Sequence, residues 1–348
     1  MTAQTINTIS EFLLQAGTEY RVYDMGRGIE KLDNQIFIDL ENNLMPVPCP
    51  RAGQAWFGVV FWNKQLSHEQ YIWFVKIPID ERSLLSQAAR NQFLEAVVTA
   101  LGNDLERTKE TGAQLPDNPY IFTPSQQQLA DFNALIRKEL LLSARLGLSK
   151  AVAYLKAPSV LPWEELALQD IADLAVHIER KDIEQALHNN LEKLPFQVLT
   201  ALCSSFENIR IDAALTDRLI QLFENAEFAE IQHMVLRGLK NSIATDLVKQ
   251  FLHELIAQGE PDMECLVIIA GRHFRQLSDD TLLVDYLLKV IESDPALQLF
   301  RGIYTDLVQV PETRFALLSL MRRNDLPEPL AKAIATLYEG ARNLKSAS

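Results

Sequence analysis

A chain of 348 residues that is 48% hydrophobic and 23% charged has apolar content enough for two cores, which excludes a disordered polymer. Its net charge of −13 is unevenly shared, with 15 basic and 17 acidic side chains in residues 1–160 against 18 and 29 in residues 161–348. The acidic second half would repel a phosphate backbone, which makes nucleic acid an unlikely partner; no apolar run approaches the roughly 18 residues of a membrane span, and no secretory signal is visible, so a cytoplasmic protein is expected.

In chain order, Ile6, Ile9, Phe12 and Leu13 have helical spacing with a stop at Gly17, and a short strand follows over 20–25. Leu32, Ile36, Phe37 and Leu40 give a second amphipathic helix, which ends before Pro46, Pro48 and Pro50. Two β-rich runs, 55–62 and 71–77, flank the polar stretch 63–70 and predict an antiparallel hairpin. Both faces of that hairpin are apolar, so helices or another chain should cover the second face. Trp56, Trp62 and Trp73 lie here, as core residues or as an aromatic docking surface. A helix is expected from near Glu81 to Leu101, then a connection over 102–118. Ser125 stands three residues before Gln128, the spacing of a capping box, at the head of a connecting helix.

Beyond Ser149 strand signals disappear and helical spacing repeats. Leu247, Val248, Phe251, Leu252, Leu255 and Ile256 recur 35 positions later as Leu282, Leu283, Tyr286, Leu287, Val290 and Ile291. The preceding helices recur as well: Leu199, Leu202, Cys203 and Phe206 match Ile231, Met234, Val235 and Gly238, then Leu266, Ile269, Ala270 and His273. Two helices in about 35 residues mark a helical-repeat array, because one pair cannot bury its apolar stripes alone. The expected architecture is an α+β module over 1–118 with a small antiparallel sheet, three-stranded or similar. Connecting helices over 119–157 and an all-α HEAT-like solenoid over 158–342 complete it.

Motifs that carry chemistry are missing. Gly26-Arg27-Gly28 lacks the third glycine of a dinucleotide turn, since Lys31 holds that place. His68-Glu69 and His253-Glu254 open a zinc-protease pattern, but Ile72 and Ala257 stand where the second histidine belongs. His233, His253 and His273 fall on different helices and are taken as ordinary histidines. Glu164-Glu165 and Asp279-Asp280 sit at helix starts, where carboxylates complement the dipole. Cys49, Cys203 and Cys265 are odd in number and far apart, giving one loop thiol and two buried helix thiols. No catalytic residue, cofactor or metal is therefore expected. Arg237-Gly238, Gly271-Arg272 and Arg301-Gly302 each set an arginine beside a glycine in successive first helices. The glycines suggest close helix crossings, and Arg237, Arg272 and Arg301 suggest a basic stripe for a partner's carboxylates or phosphates.

Residues 20–27, Phe37 with Glu41, residues 46–50 leading into Ala55-Trp56, and residues 120–124 with Asp131-Phe132-Asn133 carry a resemblance over nearly the whole chain. The chain resembles an uncharacterised bacterial family known only as a domain of unknown function, which implies no activity, cofactor or catalytic residue. A protein-interaction or adaptor role is the leading expectation, with another protein as partner. The alternatives are an enzyme built on residues such as Asp24, Arg27, Glu41 and His68 between the module and the solenoid, and a helical-repeat nucleic-acid binder.

Overall fold

The computed structural model describes residues 7–63, 69–104 and 118–346; His68 and most of the expected connection over 102–118 lie outside the described residues. The chain forms two compact units, residues 1–123 with 308–314 and residues 124–307 with 315–348.

The first unit runs α1 (Ile9–Gln15), β1 (Glu19–Asp24), β2 (Glu30–Leu32), α2 (Asn34–Glu41), β3 (Gln54–Trp62), β4 (Tyr71–Pro78) and α3 (Gln87–Asp104). Its strands make one antiparallel sheet in the order β2-β1-β3-β4. The sheet has a fourth strand because Leu32, expected in a helix, pairs with Val22 instead, and α2 starts at Asn34. Over so short a segment one leucine fits either period, so the tight link between β1 and β2 decides. In that link the Gly26 N–H donates to Asp24 Oδ1 at 2.8 Å, and a Cβ on Gly26 would stand 1.8 Å from the Cys49 carbonyl oxygen. The glycine is there for close backbone approach in a hairpin. Helix α3 begins at Gln87, later than expected, because Asp80 accepts from the N–H groups of Arg82 and Leu84 at 2.9 and 2.8 Å and holds this segment as a turn.

Register puts Val22, Val59 and Trp73 on one sheet face. That face packs on Ile9 and Leu13 of α1, Phe37 and Leu40 of α2, and Phe93 and Val97 of α3. Each such buried side chain contributes about 1.5–3 kcal/mol. The alternate residues Tyr23, Val60 and Trp62 on the other face are only 3%, 0% and 8% exposed, so the middle of the second face is covered within this chain. Cys49, expected as a loop thiol, is buried, as are Cys203 and Cys265.

The second unit is helical: α4 (Gln126–Glu139), α5 (Leu146–Lys156), α6 (Leu168–Val176), α7 (Lys181–Asn190), α8 (Phe196–Phe206), α9 (Ala213–Glu224), α10 (Ala229–Gly238), α11 (Thr245–Gln258), α12 (Met263–Arg272), α13 (Asp280–Ser293), α14 (Gln298–Gln309), α15 (Pro311–Leu320) and α16 (Glu328–Ser346). Residues 308–314, at the α14–α15 junction, belong to the first unit. Local chemistry sets several starts. Ser125 Oγ accepts from Gln128 N at 3.2 Å while Gln128 Oε1 accepts from Ser125 N at 3.1 Å, closing the box ahead of α4. Asp212, Asp262 and Asp279 cap α9, α12 and α13 through first-turn N–H groups.

Helices of alternate rank lie side by side. Helix α4 contacts α6, α6 contacts α8, α8 contacts α10 and α10 contacts α12; α5 contacts α7, α9 contacts α11 and α11 contacts α13. Most of the recurring apolar positions are buried, among them Val248, Phe251 and Leu252 of α11 and Leu283, Tyr286 and Leu287 of α13. Loops follow the same rule: Ile243 N donates to Ile211 O at 3.0 Å, pairing the link after α10 with the link after α8. Among the described residues no helix is long and apolar enough to cross a membrane.

Candidate functional site

The ends of α8, α10 and α12 gather charge in the second unit. Glu207, 7% exposed, follows α8 and accepts from Arg272 Nε at 2.6 Å; Arg237 Nη1 stands 3.8 Å from its other oxygen. Arg237 also reaches Glu264 at 3.0 Å. The Glu207 carbonyl, left over at the helix end, accepts from Asn241 Nδ2 at 2.6 Å and Lys240 Nζ at 3.3 Å. The end of α8 is thereby tied to the ends of α12 and α10 by charge-assisted hydrogen bonds from Arg272 and Lys240, which are stronger than neutral ones.

Beside this knot Asp131, on α4, is 3% exposed and accepts from Ser205 Oγ at 2.6 Å, Gln127 Nε2 at 3.0 Å and Asn208 Nδ2 at 3.2 Å. Burial pushes its carboxyl up to about 6 against the lowering effect of those donors, and the nearby Glu207 adds to the rise. His273, fully buried, donates from Nε2 to the Leu236 carbonyl at 2.8 Å, a carbonyl being an acceptor only, so its Nδ1 is an acceptor that finds no donor among the described residues. Burial pushes this imidazole down to about 4. In this knot the guanidinium groups of Arg237 and Arg272 are matched by the carboxylates of Glu207 and Glu264.

Of the three arginines singled out in the sequence, Arg237 and Arg272 meet at Glu207, whereas Arg301 is exposed on α14. Their glycine neighbours differ. A Cβ on Gly238 would stand 3.2 Å from Cys203 Cβ, a close crossing of α10 on α8; Gly271 and Gly302 have nothing within 4 Å among the described residues, so the expected crossing is not seen at those two. Trp62 is buried. Trp56 donates from Nε1 to the Arg51 carbonyl at 3.0 Å, lies under the Arg51 guanidinium at 4.4 Å, and meets Phe122 edge-on at 4.8 Å. Trp73 packs on Phe61 and Phe93 at 4.5 and 5.9 Å. The aromatic hairpin is thus largely occupied with its own unit.

The residues considered for catalysis are likewise engaged. The Glu41 carboxylate accepts from Ile9 N, Ser10 N and Ser10 Oγ at 2.6, 3.0 and 2.5 Å, holding the start of α1, and Arg90 donates to the Glu41 carbonyl. Burial raises that carboxyl above its ordinary value. Asp24 serves the hairpin link and Arg27 Nε donates to the Pro50 carbonyl at 2.9 Å.

What sequence reading missed is an exposed apolar row. Phe196, Phe228 and Met263, at the starts of α8, α10 and α12, are 46%, 63% and 56% exposed. Their offsets of 32 and 35 are those of the recurring positions Leu199, Ile231 and Leu266, so the spacing in the sequence carried the signal. Exposed Glu227, Glu230 and Glu260 stand near the row in sequence.

No curated protein and no solved structure matches this chain. One family does, across residues 4–338: the chain belongs to the family described as "Protein of unknown function (DUF3549)".

Proposed function

We propose that the second unit is a HEAT-like helical-repeat platform that binds a basic, amphipathic segment of another protein. The observation that carries this is the row of Phe196, Phe228 and Met263, three large apolar side chains left in water at one repeat position on three adjacent helices. Large exposed apolar groups gathered in this way mark contact surfaces. Partner chemistry follows from the surroundings: Glu227, Glu230 and Glu260 and the acidic balance of residues 161–348 favour lysine and arginine beside apolar anchors. The side-by-side packing of successive first helices supports the repeat architecture. Three buried free thiols suit a reducing, cytoplasmic setting. Pairing of Arg237 and Arg272 with carboxylates weighs against a nucleic-acid groove, since it removes two of the cations that such a groove would use.

Panning a random peptide library on the full chain tests the reading. Enriched peptides are expected to be basic, with apolar residues at helical spacing, and to lose affinity for the Phe196→Ser, Phe228→Ser, Met263→Ser chain while circular dichroism stays unchanged. Acidic or wholly polar hits, or hits indifferent to the triple substitution, would refute it.

A further inference from the structure

We infer that Glu184, His188 and Asp212 form a divalent-cation site, with Zn2+ the cation its donors fit. Glu184 and His188 are four residues apart on α7 and share one helix face, and Asp212 enters from the cap of α9. One donor atom from each lies within 4.8 Å of the other two. Donors around tetrahedral zinc, with bonds of about 2.0–2.1 Å, stand roughly 3.4 Å apart. Ligation therefore requires the donors to draw closer, and all three side chains are half-buried at a cleft wall rather than locked in the core.

The donors are available. Among the described residues the Glu184 carboxylate and the His188 imidazole have no hydrogen bond or ion pair. Asp212 is oriented through one oxygen, which accepts from Leu215 N at 2.7 Å, and this leaves the other to ligate; such outer support is usual for metal ligands. The trio also borders space for a further ligand. Glu184 and His188 line both a cleft of about 300 Å³, whose wall includes Leu187, Ile211 and Ile243, and a neighbouring groove of about 550 Å³. Three protein donors leave coordination positions open to whatever enters, the pattern of a reactive rather than a closed zinc site. An imidazole nitrogen in the set disfavours Ca2+ and Mg2+, which take oxygen.

A second trio, His233, Asp262 and Cys265, differs in having no free donor among the described residues. Both Asp262 oxygens are engaged, Oδ1 by Cys265 N at 2.8 Å and Oδ2 by His233 Nε2 at 2.9 Å, and burial pushes the Cys265 thiol up to about 12, where metal binding would require a thiolate. It serves as the internal control.

Isothermal titration of the chelator-stripped full chain with Zn2+ decides the matter. One saturable site is expected, with Kd on the order of micromolar or tighter, weakened at least about tenfold by His188→Ala and by Glu184→Gln and unchanged in His233→Ala. Co2+ loading should give visible d–d bands that vanish in His188→Ala. Circular dichroism checks each variant, and if His188→Ala unfolds, Glu184→Gln alone decides. Absence of saturable Zn2+ binding, or binding indifferent to folded Glu184→Gln, would overturn the assignment.

Discussion

Arg272 Nε lies 2.6 Å from Glu207 Oε2, joining the end of α12 to the end of α8 past the intervening α10. Glu207 is nearly buried, so removal of Arg272 strands a carboxylate that only the more distant Arg237 can still compensate. Arg272→Met should therefore destabilise the chain by about 2–4 kcal/mol in urea unfolding, less than a wholly unpaired buried charge would cost. A double-mutant cycle with Glu207→Gln should return a coupling of about 1–3 kcal/mol. Additive effects of the two substitutions would show that the pair contributes nothing as a pair.

Asp131 and His273 should drive opposite pH dependences. Folded Asp131 keeps its proton up to about pH 6, and an unfolded aspartic acid only to about 3.9. Unfolding between those values releases a proton, so this residue makes stability fall as pH rises, by roughly 3 kcal/mol in full. His273 is neutral in the fold above about pH 4, but charged in the unfolded chain below about 6.5. Its contribution rises with pH over that window by a similar amount. Urea midpoints at pH 4.5 and 6.5 check both: relative to the parent chain, Asp131→Asn should gain stability with pH and His273→Gln should lose it. Variants that both parallel the parent would show these groups to be unperturbed.

Gly238→Ala and Gly271→Ala should move stability in opposite directions. A new methyl at 238 meets Cys203 Cβ at 3.2 Å and its Cα at 3.4 Å, which a packed helix backbone cannot readily yield, at about 1–3 kcal/mol. At 271 a methyl meets nothing within 4 Å, so the gain in helix propensity remains, about 0.5–1 kcal/mol. Thermal unfolding of the two chains separates crossing from propensity.

Where one local pattern governs an element, the sequence discloses it. The Ser125 box and the 35-residue recurrence in α11 and α13 are legible because capping and burial repeat with fixed spacing. Strand β2 was hidden since three residues carry no period, and the late start of α3 because Asp80 organises a turn inside an otherwise helical pattern. The arginines were visible, but their common partner Glu207 was not, since it lies 30 and 65 residues away in sequence. Glu184, His188 and Asp212 were likewise invisible as a group: only α7 and α9 lying near each other unites them.

A photo-crosslinking residue placed at Phe228 of the full chain in growing cells tests the binding platform most directly. A discrete adduct is expected, mapping to a basic amphipathic segment of one partner and disappearing when Phe196→Ser and Met263→Ser are added. If position 228 yields no adduct while an exposed residue away from the row, Phe315, does, the row is not the contact surface and the account fails.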